Sequence, residues 1–123
     1  MKMIKTTTLR SISICIALIA GYAMANSTNT LEGVWKHASK PAYIEFNLNS
    51  GIASVKDHQT HKENTGLIVI KNIVKSQSSN AKWVGDMFDG YKDQYVPVTI
   101  ILGDRTVSIF DSENNEVLTL LKE

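Results

Sequence analysis

The densest group of residues able to do chemistry is Asp57-His58-Gln59-Thr60-His61-Lys62-Glu63. Imidazoles flanked by carboxylates can bind zinc or copper, which makes His58 and His61 the candidates for a metal site. Three-residue spacing turns two ligands the same way on a helix, however, and this stretch is no helix. Residues 57–65 contain no apolar side chain and read as a solvated loop. Nothing else in the chain demands a metal, and no cofactor is expected.

Four residues could contact a ligand: Trp35, His37, Tyr43 and Trp83. Two tryptophans can form an aromatic platform, and they can equally be the core of a small domain. His37 would sit at the end of the strand that carries Trp35. Asp86 and Asp89 have no identifiable partner with which to act as an acid–base pair. No serine lies in a nucleophile-elbow context, and no glycine-rich loop precedes a helix. The one cysteine, Cys15, lies in an apolar N-terminal stretch and reads as filler there rather than as a lipid acceptor. The chain is therefore not expected to be an enzyme.

The elements that must position these residues begin after a targeting segment. Residues 1–10 carry Lys2, Lys5 and Arg10, Ile12 to Ala20 is almost wholly apolar, and Ala23-Met24-Ala25 is a small-residue cleavage pattern. That order is a secretory signal peptide, with an apolar part too short to span a membrane. Residues 1–25 are thus expected to be removed, residues 26–30 to form a disordered tail, and residues 31–123 to fold as one domain in the periplasm or outside the cell. The mature chain keeps no thiol, so disulfides, thiolate metal sites and cysteine nucleophiles are excluded from it. The whole chain has a formal charge of +1; without Lys2, Lys5 and Arg10, ten basic residues face twelve acidic ones, a net of −2. No basic excess remains to suit nucleic acid or an anionic membrane, and no stable membrane span is expected in the mature chain.

The remainder reads as strands. The centre is residues 66–89, where Leu67 to Val74 and Lys82 to Phe88 flank six small or polar residues, a hairpin pattern. Leu67 to Ile70 is apolar on both faces, which predicts cover on both sides. In the return strand Trp83, Gly85 and Met87 share the face without a charge and are expected inside, with Gly85 allowing a bend or a close neighbour. Before this hairpin come Leu31 to His37, Tyr43 to Leu48 and Ile52 to Lys56. After it come a strand from Gln94 to Leu102, one around Val107 and Ile109, and one from Glu116 to Leu121. Pro97 implies an edge, a bulge or a break in its strand, and Gly103-Asp104 reads as a two-residue hairpin turn. Eight short strands joined mostly by hairpin turns, with no helical period, predict an all-β fold. An antiparallel up-and-down barrel is preferred over a sandwich because closure removes exposed edges.

Gly33-Val34-Trp35-Lys36-His37, Pro41-Ala42-Tyr43-Ile44-Glu45-Phe46, Gly66-Leu67-Ile68-Val69-Ile70-Lys71 and Trp83-Val84-Gly85-Asp86-Met87-Phe88-Asp89 follow one another in an order and spacing that resemble the DUF2147 proteins. Tyr43 stands where many members carry Trp. The resemblance implies a small exported bacterial protein with a lipocalin-like barrel, and it supplies no catalytic residues. Two functions remain. One is a protein-interaction or envelope-associated module, favoured if bulky inward side chains fill the barrel. The other is a carrier or sensor for a small apolar ligand at the barrel interior or mouth, favoured by an interior cavity of roughly 300 Å³ or more.

Overall fold

The computed structural model describes residues 30–123; the signal peptide, its cleavage point and most of the expected tail fall outside the described residues. Eight strands follow in chain order: β1 Gly33–His37, β2 Ala42–Asn47, β3 Ile52–His58, β4 Ile68–Lys75, β5 Lys82–Asp89, β6 Gln94–Leu102, β7 Thr106–Phe110 and β8 Glu116–Leu121. Each pairs antiparallel with its chain neighbours, and β1 meets β8 to close the barrel. This is the all-β, up-and-down closed sheet that the strand spacing predicts. The closing seam is short, with register pairs only at Lys36↔Leu121 and His37↔Leu120. It is extended by Ala38 N–H donating to Thr119 O at 3.0 Å.

Two-residue alternation fixes what lies inside. Trp35, Ile44, Phe46, Val55, Trp83, Val98, Ile100, Leu102, Ile109, Leu118 and Leu120 are buried, as their alternation predicts. Leu48 and Met87 pack against that cluster from its margin. Leu31, Ala53, Ile70, Ile73 and Val107 complete the core, and no buried residue among those described is polar or charged.

Ile70 and Ile73 are three apart, which alternation alone forbids. The register slips between Lys71 and Val74, where Asn72 takes φ 56°. This bulge returns Ile73 to the interior, and Asn72 Nδ2 donates to Asp86 Oδ2 at 2.9 Å across the ladder. Gly85 makes room for it: a Cβ there would lie 3.1 Å from Ile70 Cγ2 and from Lys71 O. The close neighbour expected at Gly85 is therefore the bulged β4.

Three local expectations need correction. β3 runs on to His58, and the polar connection then holds a 3₁₀ turn, Lys62–Asn64. Leu67 and Ile68 are exposed, so only Ile70 of the doubly apolar run is buried. The β6–β7 turn lies one residue later than expected. Gly103 N–H donates to Thr106 O at 2.8 Å, and the positive φ falls on Arg105, at 66°. Gly103 is used for space instead, since a Cβ there would meet Thr106 Oγ1 at 2.8 Å.

Pro97 lies inside an unbroken β6. Leu102 N–H donates toward the β5 side, to Ala81 O, while Gly103 N–H donates to the β7 side. Backbone groups alternate sides along an antiparallel strand, so Pro97 turns its nitrogen toward β7. The β6–β7 ladder starts only at Thr99↔Phe110. The missing N–H thus falls where no strand would have accepted it.

Candidate functional site

The four turns β1–β2, β3–β4, β5–β6 and β7–β8 share one rim of the barrel, and the histidines gather there. His37 ends β1 and His58 ends β3; Ala42↔His58 pairing and a Gln59 N–H to Pro41 O bond of 2.9 Å join their loops. His37 Nδ1 accepts from the backbone N–H of Ser39 at 3.1 Å and of Lys40 at 3.2 Å, so it closes the β1–β2 turn. Partial burial holds its pKa below the usual 6.5, and the charges of Lys40, Lys36 and His58 add to this. His58 Nδ1 accepts from His61 N–H at 3.1 Å, and the two rings meet edge to face at 5.0 Å. His61 Nδ1 lies 3.3 Å from Glu63 Oε2. The Glu63 carboxyl is held below its usual range by its own backbone N–H and then by His61. His58 therefore spends one ring nitrogen on its own loop. Among the described residues no three His, Cys, Asp or Glu converge in a way that would hold a metal ion.

The four ligand candidates do not converge. Trp35 is 2 % exposed, and its indole N–H donates to Leu31 O at 3.0 Å. Trp83 is 7 % exposed, with Lys75 Nζ 5.3 Å above its ring. It pairs with Lys75 and Ile100, toward the rim opposite the histidines. Tyr43 is half-buried and donates its hydroxyl to Glu123 Oε1 at 3.4 Å. The carboxylate of Glu123 raises the phenol pKa. His37 is at the histidine rim, and Tyr43 lies beside it, pairing with Lys36 and Asp57.

That rim does hold a groove of about 550 Å³. Met87, Val96 and Val98 form its apolar floor; Phe88 and Val117 flank it; Lys40, the Asp89–Lys92 turn and Asp111 to Glu113 bound it. A second hollow, of about 330 Å³, lies against Asn72, Asp86 and Thr99 and shares Pro97, Val98, Asp111 and Ser112 with the first. Both open where β6 outruns β7. The bounding turns are rigidly tied. Asp89 Oδ1 accepts from Tyr91 N–H at 2.9 Å, and Asp111 Oδ1 accepts from Glu113 and Asn115 N–H, each at 2.9 Å. The Asn115 and Glu113 bonds hold the Asp111 carboxyl below its usual range. Asp89 and Asp111 thus spend their Oδ1 atoms on their own turns, while Glu113 also lines the groove.

Sequence reasoning did not find Lys40, Met87 or Val96 as groove residues. The signal available was the mismatch between a long apolar run at Gln94 to Leu102 and a much shorter one around Val107 and Ile109. Two strands of unequal length in one hairpin leave an open side. No helix among the described residues is long and apolar enough to cross a membrane. No protein-family model, curated protein or solved structure matches this chain.

Proposed function

We propose that the chain is an exported, non-catalytic barrel that acts as a protein-interaction or envelope-associated module through its rim and outer wall. The observation that carries this reading is the filled interior: Trp35, Phe46, Ile70, Ile100, Ile109 and Leu120 occupy the space where an enclosed ligand would sit. No polar or charged side chain lies in that core among the described residues. The export and periplasmic or secreted location rest on the signal pattern of residues 1–25. Kinship with the DUF2147 proteins, and with it the lipocalin-like comparison, rests on the Gly33–His37 and Trp83–Asp89 motifs, which lie on β1 and β5.

A second reading, a carrier or sensor of a small apolar ligand at the barrel mouth, is favoured by the apolar floor of the rim groove. Its volume of about 550 Å³ is within the range of small-molecule sites. Melting temperature and the emission of lipophilic dyes, competed by fatty acids and retinoids, separate the two, because neither tryptophan lines the groove. The module reading expects neither to move. A saturable shift with any of these ligands favours the carrier and sinks the module. Intact mass of the exported protein, starting at Asn26, tests the export step.

A further inference from the structure

We propose that the open edge of β6 at Gln94–Val98 binds an extended peptide segment of a partner protein, which adds a short strand beside it. This inference rests on the module reading and names its recognition site.

The β5 ladder follows β6 from Asp89↔Gln94 to Lys82↔Ile101, whereas the β7 ladder covers only Thr99 to Leu102. The five residues before Thr99 thus have a strand on one side alone. Alternation from Gly103 puts the backbone of Tyr95 and Pro97 on the open side. Tyr95 offers an N–H and a C=O there, and Pro97 a C=O. These groups are two residues apart, roughly 6.8 Å, which is the repeat an extended chain presents. An apolar ligand lying against them would cover polar groups without satisfying them. A peptide backbone satisfies them, as in strand addition to other sheet edges.

The groove beside this edge supplies the specificity. A strand laid along β6 turns alternate side chains toward Met87, Val96 and Val98, which asks for small or branched apolar residues there. Lys40 and Lys92 stand on the same groove, and neither is in an ion pair among the described residues. Asp89, Asp111 and Glu113 bound the same groove, and Asp111 lies within the field of Lys92. Charge of both signs therefore lines the groove, and the apolar positions carry the selection. Pro97 deletes one donor from the edge, which limits the pairing to a short segment and disfavours edge-to-edge growth between copies.

The test uses the purified protein as bait for a displayed library of random peptides about nine residues long. Enrichment of sequences that alternate apolar and polar residues is expected. A synthetic peptide from that pool should slow hydrogen exchange at the Tyr95 amide. N-methylation of its pairing residue should weaken binding about tenfold, as expected for loss of one hydrogen bond. Val96→Arg should abolish binding, and Ser112→Trp, on the exposed turn that bounds the groove, should weaken it in case the first fails to fold. Val74→Arg, on the outer wall, should not. A library with no enrichment overturns the proposal, as does a peptide indifferent to N-methylation. An envelope partner held equally by wild type and a folded Val96→Arg protein leaves the module reading standing and removes this site. Palmitate bound in the groove with no peptide recovered removes both.

Discussion

Trp35 combines three roles in one side chain: it fills the barrel, donates to Leu31 O at 3.0 Å, and carries Lys122 Nζ 5.0 Å above its ring. Replacing it with Ala removes a large buried volume that neighbouring strands cannot collapse to fill. The expected loss is about 3–5 kcal/mol, read as a lowered denaturation midpoint. Trp35→Phe keeps most of the ring but leaves the Leu31 carbonyl without its donor, for roughly 1–3 kcal/mol. His37 acts through its protonation state. Its folded pKa lies below the unfolded value of 6.5, so below 6.5 the unfolded chain takes up the proton first. Its contribution is fully present above pH 6.5 and is lost as pH falls from there through the lower folded pKa. Protonation would also turn Nδ1 from acceptor into donor, against the N–H groups of Ser39 and Lys40. His37→Asn retains an acceptor for that turn without a titration, so its stability should vary less than wild type between pH 7 and pH 5 in parallel urea titrations.

Strands come next in scale. β4 and β5 fit only because the Asn72 bulge faces a residue with no side chain. Gly85→Ala sets a methyl 3.1 Å from Ile70 Cγ2 and from a main-chain oxygen, and should cost about 1–3 kcal/mol in a two-state melt. Pro97→Ala restores a donor on an unaccompanied edge. Stability should change by no more than about 1 kcal/mol, while size-exclusion chromatography shows added oligomer. The strands themselves were legible because apolar residues alternate in β2 and at every second position of β5, β6 and β7. The bulge was not, since a slip of one residue at Asn72 is decided by the partner strand, and alternation records only one strand at a time. The β6–β7 turn was misplaced for a related reason: Gly103 looked like the positive-φ residue, but Thr106 crowding claimed it. The rim groove was hidden further, because its walls come from Lys40, Met87, Val96 and Ser112, distant in the chain and joined only by closure. The tryptophans were visible as residues, and alternation placed them inside, which makes them reporters of the core and removes them from the groove.

At the scale of the molecule, the wall is uneven in strength. β5 and β6 pair along eight register positions, from Lys82↔Ile101 to Asp89↔Gln94, whereas β1 and β8 hold at two, Lys36↔Leu121 and His37↔Leu120. Local opening follows the weaker ladder. In native-state hydrogen exchange the seam amides, Ala38 among them, should exchange well before those of β5 and β6; uniform protection around the ring would contradict this account.

The seam also joins the first strand of the barrel to the last. A chain delivered from its N-terminus exposes one side of β1 until Glu116–Leu121 arrives to cover it. A stop anywhere before Glu116 therefore yields a sheet with two bare margins, and the ring closes only once β8 is in place.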